Sequence, residues 1–254
     1  MSIEFEEQYP NWNEYNSQLR EDNFKNGYKH KHPILFDYMY LNEDEKEEFL
    51  KQYINPDMYW VESQKYSKYN GEWDLVLTEP AWEVYQFPLF TEKLSNMIIE
   101  EVEHFDNFVV PGEGPNHNIA YGTTDTGLDG IPGTRNYEDK PLGKLYYDIQ
   151  ERYIKPIIKY VWRYTISRFP SSYVLKYEPG AQDFLQPHHD DNICSSIVCL
   201  NDGFKGGGTW FEKQNITVHP KIGWCTIHPG KLTHRHAGRR VTEGKRYILI
   251  TFIE

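Results

Sequence analysis

The stretch Trp224-Cys-Thr-Ile-His228-Pro-Gly-Lys-Leu-Thr-His234-Arg-His236-Ala-Gly238, followed by Gly244-Lys-Arg246-Tyr247, decides the fold. Its Pro-Gly pair predicts a turn between a first strand, Trp224 to His228, and a second strand that carries histidines. A third strand follows, because Tyr247-Ile-Leu-Ile-Thr-Phe-Ile253 is nearly all apolar and rich in β-branched residues. This order predicts a strand-rich C-terminal region that carries several histidines and a buried arginine.

Upstream, Pro187-His188-His189-Asp190 places a histidine and a carboxylate two positions apart. In an extended strand such residues point to one face, so His188 and Asp190 can reach one metal ion while His189 points away. Two histidines and one carboxylate form the facial triad of non-haem Fe(II) oxygenases. Taken alone the pattern is weak, since a polar turn after Pro187 explains the same residues equally well.

The third ligand would come from the histidine strand. His234 and His236 share a strand face, so periodicity alone does not choose between them. Arg246 lies ten positions after His236 within the apolar strand, and a buried guanidinium there needs an anion, which a carboxylate fits bidentately. Together these residues indicate an iron-dependent oxygenase with an anchor for a dicarboxylate co-substrate.

From Tyr173 to Phe252 the chain resembles the catalytic domain of the procollagen lysyl hydroxylases. The resemblance rests on these segments: Val174-Leu-Lys-Tyr177, Leu185-Gln-Pro-His188-His189-Asp190, Cys199-Leu-Asn201, Gly206-Gly-Gly208, Gly223-Trp224, the block from His228 to Gly238, and Arg246-Tyr247-Ile248. Weaker similarity upstream includes Pro56-Asp-Met-Tyr-Trp60 and Phe87-Pro-Leu-Phe90. The abundance of Asn, Tyr, Lys and Ile suits a viral source.

The resemblance implies a set of site residues. His188, Asp190 and His236 would bind the iron, because the family places its distal ligand ten residues before the co-substrate arginine. Arg246 would be the catalytic residue that binds the co-substrate, and Tyr177 would lie beside it. The family often has Asn where this chain has Ser196, which puts a co-substrate contact from that side chain in doubt.

The resemblance also implies the reaction and its setting. Relatives use ferrous iron, Fe(2+), with 2-oxoglutarate as co-substrate and L-ascorbate (vitamin C), hydroxylate C5 of peptidyl lysine in collagen-like X-Lys-Gly sequences, and release succinate and CO2. They act in the lumen of the endoplasmic reticulum and form a homodimer through the C-terminal domain. This chain shows neither an entry signal nor a retention motif, so we expect a fragment of a larger protein.

Two alternatives stay open. One is a peptidyl prolyl hydroxylase of the same superfamily. The other is a non-catalytic jelly-roll module that binds metal for structure or assembly. Composition excludes other classes: a net charge of −11 disfavours nucleic acid as a partner, and no apolar run approaches the ~20 residues needed to span a bilayer. The three cysteines are an odd number and form no paired framework, and Cys199 and Cys225 are expected to be buried thiols.

The expected fold class is α+β, with a double-stranded β-helix (jelly roll) core and flanking N-terminal helices. We divide the chain into an N-terminal elaboration, 1–85, and a dioxygenase domain, 86–254, whose strand-rich core is about 172–254. Predicted helices begin after Asn42, at Thr91 and near Leu142, the last of them kinked or ended by Pro156. The last two helices should cover one sheet.

Five strands are predicted in the C-terminal region. They are Tyr173–Tyr177, Cys194–Leu200, Thr209–Phe211, Trp224–His228 and Tyr247–Ile253. Residues 111–141 are rich in Gly, Pro, Thr and Asp and predict a long loop, either a lid or a disordered segment. Gly206-Gly-Gly208 predicts a tight turn or bulge rather than a phosphate-binding loop, because no Gly-Lys-Ser/Thr follows it.

Overall fold

The computed structural model describes residues 12–64, 72–112, 122–170 and 172–254. In these ranges the α-helices are α1 (Trp12–Lys25), α2 (Pro33–Asp37), α3 (Glu43–Tyr53), α4 (Pro56–Ser63), α5 (Glu92–Phe105), α6 (Pro141–Ile149) and α7 (Lys155–Trp162). The strands are β1 (Thr78–Ala81), β2 (Val84–Pro88), β3 (Asp125–Gly127), β4 (Ser172–Tyr177), β5 (Leu185–His188), β6 (Cys194–Cys199), β7 (Lys205–Gly206), β8 (Thr209–Phe211), β9 (Ile216–Val218), β10 (Trp224–Pro229), β11 (His236–Gly238), β12 (Val241–Glu243) and β13 (Arg246–Ile253).

The strands form two facing sheets and a small ribbon. The large sheet has the order β1-β2-β10-β6-β13-β4-β3, the small sheet has the order β5-β11-β8-β9, and β12 pairs with β7. Every pairing is antiparallel. From β4 onward the chain crosses repeatedly between the two sheets, which is the jelly-roll arrangement. The predicted α+β class with a jelly-roll core is confirmed.

The helices cover the outer face of the large sheet. Helix α5 buries Leu94, Ile98 and Val102 in one apolar core that also contains Val198 and Leu249 of the sheet. Helix α6 contributes to the same core. Burying a Leu, Ile or Val side chain contributes roughly 1.5–3 kcal/mol, so this layer supplies much of the stability. The prediction that these two helices back one sheet is confirmed.

N-terminal residues belong to that core as well. Leu35, Phe36 and Met58 are fully buried within it. The division of the chain at residue 85 stays a prediction. None of the described helices combines the length and the apolar character needed to span a bilayer. Cys199 and Cys225 are free and buried, as expected, and Cys194 is also free and buried.

The starts of two helices follow the predicted capping chemistry. The Asn42 side chain accepts a hydrogen bond from the Glu45 backbone N–H, and the Glu45 carboxylate accepts one from the Asn42 backbone N–H. At the start of α5, the Thr91 hydroxyl accepts a hydrogen bond from the Leu94 N–H. Each cap satisfies backbone donors that the helix leaves unpaired.

The sequence predicts that Pro156 kinks or ends the third helix. The second alternative is wrong, because helical structure continues past Pro156. Helix α6 passes into a π-helical turn, Gln150–Ile154, and the α-helix resumes at Lys155 and continues to Trp162. Pro156 therefore lies in the first turn of α7, where a missing N–H costs little.

The segment 111–141 contains more structure than a loop. Within it, β3 pairs with β4 at the edge of the large sheet, and a 3-10 turn, Leu128–Gly130, follows. Three residues without apolar alternation form this strand because β4 supplies the hydrogen-bonding partner. Residues 113–121, part of the proposed lid, lie outside the described residues.

All five predicted strands are present, with ends that shift by one residue at most. At Gly206-Gly-Gly208, where the sequence predicts a tight turn or bulge, Gly206 ends β7 and the pairing of β7 with β12 shows a shift in register. The three glycines have φ of +77°, +66° and +87°, a region that favours glycine. A Cβ at Gly206 would lie 2.3 Å from the Arg240 carbonyl oxygen, so the turn also requires close backbone approach.

The close contact at Gly206 predicts that alanine substitutions at Gly206 and Gly203 lower the free energy of unfolding by different amounts. Gly206→Ala should destabilise the protein more than Gly203→Ala, because Gly203 has a similar φ of +76° but no atom within 4 Å of its missing Cβ. The backbone cost of a left-handed non-glycine residue is about 1–2 kcal/mol in both variants. Urea unfolding measures the difference, and equal losses would contradict the steric explanation.

Candidate metal centre and co-substrate site

The site begins with the pairing of two strands of the small sheet. In the register of β5 and β11, His188 lies directly opposite His236. Side chains of directly opposite residues point to the same face of an antiparallel pair. The two imidazole rings accordingly lie 4.4 Å apart between their centroids.

Asp190 completes the group. Its carboxylate oxygens lie 3.3 Å from His188 Nε2 and 3.7 Å from His236 Nε2. The ligand atoms of all three residues lie within 4.8 Å of one another, and among the described residues this is the only group of three or more His, Cys, Asp or Glu that could hold a metal ion. The Ser195 hydroxyl donates a hydrogen bond to Asp190 and fixes the carboxylate from behind.

The prediction that His188 and Asp190 lie on one continuous strand is wrong. Strand β5 ends at His188, and Asp190 lies two residues beyond that end. The carboxylate therefore approaches the histidine from irregular backbone that follows the strand.

Both imidazoles are held with Nε2 toward the carboxylate. His188 Nδ1 is 2.8 Å from the Gln186 carbonyl oxygen, and His236 Nδ1 is 2.9 Å from the His234 carbonyl oxygen. Donation of Nδ1–H to these carbonyls leaves Nε2 unprotonated and able to bind a metal.

The charges of the group depend on one another. Burial favours the neutral carboxyl of Asp190, yet the adjacent His236 and His188 hold its pKa well below the usual range. Burial lowers the pKa of His236. Burial also opposes the charged form of His188, but the hydrogen bond and the negative charge of Asp190, together with the Gln186 carbonyl, raise its pKa overall. The group therefore combines an ionised carboxylate with imidazoles whose protons compete with a metal.

His234 is engaged elsewhere. Its Nε2 donates to the Trp82 carbonyl oxygen at 3.1 Å, its Nδ1 lies 2.9 Å from the Thr233 hydroxyl, and its ring stacks on the Trp82 ring. Both ring nitrogens thus have protein partners. The geometry favours His236 over His234 as the distal ligand.

His228 lies behind the group, with its ring 4.6 Å from that of His236. Its Nδ1 donates to the Pro229 carbonyl oxygen, while Nε2 has no hydrogen-bond partner among the described residues. Burial lowers the pKa of His228 to about 3, so this residue is neutral at physiological pH.

Arg246 lies in the interior between the sheets, opposite Tyr177 in the register of β13 and β4. Its guanidinium donates to the Gly208 carbonyl oxygen at 3.2 Å and to the Thr209 hydroxyl at 3.3 Å. Across the described ranges no carboxylate forms an ion pair with it. Burial lowers its pKa. A buried cation without a counter-ion marks a place for an anionic ligand.

Tyr177 connects the arginine to the metal group. Its ring centroid lies 5.5 Å from the Arg246 guanidinium carbon. Its hydroxyl reaches across to β11, 3.3 Å from the position that a Cβ would take on Gly238. Burial raises the pKa of Tyr177 to about 12, so its hydroxyl stays a hydrogen-bond donor.

Ser196 does not face this interior. Its neighbours on alternate positions of β6, Cys194 and Val198, belong to the core beneath the helices, whereas Ile197 packs between the sheets. A co-substrate contact from Ser196 is therefore excluded by its direction.

Sequence reasoning missed three contributors to the site. Ser195 supports Asp190, Thr209 supports Arg246, and Trp82 supports His234. Thr209 could have been predicted from its position directly after the three glycines, because this segment brings the Gly208 carbonyl and the Thr209 hydroxyl to the Arg246 guanidinium. Nothing in the local sequence identified Trp82.

The family model described as 2OG-Fe(II) oxygenase superfamily matches residues 161–254, which contain all the residues of the metal group and Arg246. The matched range begins at the end of α7 and contains β4 to β13.

Curated relatives extend the similarity upstream. Procollagen-lysine,2-oxoglutarate 5-dioxygenase 1 of Mus musculus is 31% identical over 214 residues, which is 80% of this chain and 28% of that protein. Procollagen-lysine,2-oxoglutarate 5-dioxygenase 2 of Homo sapiens is 31% identical over 210 residues, 80% of this chain and 26% of that protein. The chain thus spans about a quarter of the length of these relatives.

Solved structures share the fold. A Trichoplax adhaerens prolyl hydroxylase, in complex with a hypoxia inducible factor peptide fragment, matches with a TM-score of 0.54 and 13% identity over 85% of this chain and 94% of that one. A Pseudomonas putida prolyl-4-hydroxylase matches with a TM-score of 0.50 and 15% identity over 78% and 98%. The chain belongs to the 2-oxoglutarate- and Fe(II)-dependent oxygenase superfamily and is similar to the catalytic domain of the procollagen lysyl hydroxylases.

Proposed function

We propose that this chain hydroxylates C5 of peptidyl lysine in collagen-like X-Lys-Gly sequences, with conversion of 2-oxoglutarate and O2 to succinate and CO2. The observation that carries the proposal is a juxtaposition in the interior between the sheets. There the three-residue metal group lies together with a buried guanidinium that has no carboxylate partner in the described ranges. The chain is also 31% identical to a procollagen-lysine dioxygenase.

The donor set fits ferrous iron. Two imidazoles and one carboxylate suit non-haem Fe(II), and a group of only three protein ligands leaves coordination positions for co-substrates. His188, Asp190 and His236 would hold the ion. When bound, iron supplies the redox chemistry that couples oxidation of 2-oxoglutarate to hydroxylation of the peptide. Because protonated imidazoles do not bind metals, affinity should fall as the pH drops below the raised pKa of His188.

The remaining residues would orient the co-substrate. Arg246 would bind the carboxylate remote from the metal, with the Thr209 hydroxyl and Tyr177 hydroxyl as further donors. Fixing that end turns the 2-oxo acid end toward the ligands on β5 and β11. Holding a reactant at two ends in a dry interior lowers the entropic part of the barrier.

Lysine is favoured over proline by the names of the relatives. The proteins about 31% identical to this chain are called procollagen-lysine dioxygenases, whereas the prolyl hydroxylases are 13% and 15% identical and share only the fold. A structural module is disfavoured, because structural metal sites usually have four protein ligands and do not need a buried arginine that lacks a carboxylate partner in the described chain. Ascorbate dependence, dimerisation and a luminal location stay predictions.

The direct test is mass spectrometry of peptides. With Fe(II), 2-oxoglutarate and ascorbate, a Gly-X-Lys repeat should gain one oxygen atom, and fragmentation should place it on the lysine side chain. The matched control is a repeat that carries proline instead of lysine. Oxygen on proline alone would support the prolyl alternative, and 2-oxoglutarate consumption with neither peptide would contradict the lysine assignment.

A further prediction compares His236 with His234, two residues earlier in the chain. His236→Ala and Asp190→Ala should abolish Fe(II) binding and succinate formation, since each removes one of three ligands. His234→Ala should keep both to a large extent, because that side chain contacts Trp82 rather than the metal group. Metal content after reconstitution and succinate yield measure this, and equal loss in both histidine variants would refute the assignment.

The third prediction separates charge from geometry at Arg246. Loss of a charge-assisted pair from a buried site costs roughly 2–5 kcal/mol, and each 1.4 kcal/mol is about tenfold in affinity. Arg246→Ala should therefore raise the apparent KM for 2-oxoglutarate at least about tenfold, while Fe(II) binding persists. Arg246→Lys keeps the charge but not the bidentate fork, so its KM should lie in between. An unchanged KM in both variants would exclude this role.

A further inference from the structure

A carboxylate outside the metal group also faces the interior. The buried carboxylates of the described chain are Glu62, Glu101, Asp125 and Asp190. The first is paired with an arginine, the second accepts hydrogen bonds on both oxygens, and the last belongs to the metal group. Asp125 differs, because its Oδ1 has no hydrogen-bond partner among the described residues.

Asp125 has one polar side-chain contact in the described chain. The Thr123 hydroxyl donates to Asp125 Oδ2 at 2.5 Å. The Asp125 backbone is satisfied by a reciprocal pair of hydrogen bonds with Val109. In the described ranges no lysine, arginine or histidine forms an ion pair with the carboxylate. Burial raises the pKa of Asp125 to about 7, and the bond from Thr123 offsets only part of the shift.

The strand register directs this side chain toward the catalytic interior. Asp125 on β3 lies opposite Leu175 on β4, so their side chains share one face of the large sheet. Leu175 packs between the sheets with Ile197 and Ile248. Tyr177, two residues after Leu175, has the same direction and lies opposite Arg246.

Electrostatics agree with this placement. Burial is the main cause of the high pKa of Tyr177, and the charges of both Asp125 and Asp190 add to it. Both carboxylates thus act electrostatically on Tyr177. The interior between the sheets contains a buried arginine, a metal group and, on the strand next to β4, a carboxylate oxygen without a hydrogen-bond partner in the described chain.

We infer that Asp125 determines specificity for lysine by binding the ε-ammonium group of the substrate side chain. The inference rests on the proposed function and names a residue that recognises the substrate. An ammonium group has three donors and no acceptor, so it complements an acidic oxygen without a partner. In lysine the nitrogen is two bonds from C5, so a carboxylate that holds the ammonium group also restrains the position of C5. A neutral apolar or proline side chain would leave Asp125 without a partner.

The test compares two peptides on the holoenzyme. A Gly-X-Lys repeat and the same repeat with norleucine, which lacks only the ammonium group, are titrated against protein with Fe(II) and 2-oxoglutarate under anaerobic conditions. Without O2 the measurement reports affinity alone. We expect the wild-type protein to bind the lysine peptide at least about tenfold more tightly, as for a buried charge pair. Asp125→Asn should reduce this preference to about threefold or less, whereas its Fe(II) and 2-oxoglutarate binding should persist.

The matched control is Asp183→Asn, which removes a carboxylate paired with the exposed Arg240 and should keep the lysine preference. Asn retains the shape of Asp and can still accept from Thr123, and thermal unfolding checks that the variant is folded. Equal affinity of the two peptides for the wild-type protein would overturn the inference without any variant. So would an undiminished lysine preference in Asp125→Asn. If the wild-type protein prefers the lysine peptide but adds no oxygen to it in air, the proposed reaction fails while the binding role stands.

Discussion

The site depends on the antiparallel pairing of β5 with β11. That register sets His188 opposite His236 and fixes the distance between the two imidazoles. A shift of one residue would turn one ring to the opposite face of the small sheet. The bonds from each Nδ1 to a carbonyl oxygen then restrict ring rotation. The centre is thus positioned by backbone hydrogen bonds as much as by side-chain packing.

Charged groups in the interior between the sheets are otherwise unfavourable. Asp190 has the histidines and Ser195 around it, whereas the hydrogen bonds of the Arg246 side chain in the described chain all go to neutral oxygens. Such isolated charges lower stability, and the apolar core between the large sheet and the helices offsets this loss. The two faces of the large sheet thus have different roles. The face beneath the helices stabilises the protein, and the face toward the small sheet holds Tyr177 and Arg246 of the site. Strand alternation separates the two along β6, where Ser195 faces the site and Ser196 faces the helices.

Much of this arrangement could be predicted from sequence, for identifiable reasons. The five strands listed from the sequence, the capped helices and the glycine segment depend on local patterns, so the strands were found with nearly correct ends. The family resemblance selected His236, a choice that periodicity could not make. Short strands such as β3 and β7 were missed because tertiary pairing, rather than local preference, makes them extended. The contacts of Trp82 and Asp125 join segments far apart in sequence, and no local pattern reports them.

The hairpin of β1 and β2 has a consequence for dissection of the protein. The Trp82 carbonyl holds the His234 ring, and the His234 carbonyl in turn orients His236. Strand β2 also extends the large sheet beside β10. A fragment limited to residues 161–254 would therefore lose the hydrogen bond from His234 to the Trp82 carbonyl. It would also expose the sheet surface that α5 and α6 cover. The smallest autonomous unit must begin upstream of β1, and the shorter region that matches the superfamily should not be expected to be soluble when expressed alone.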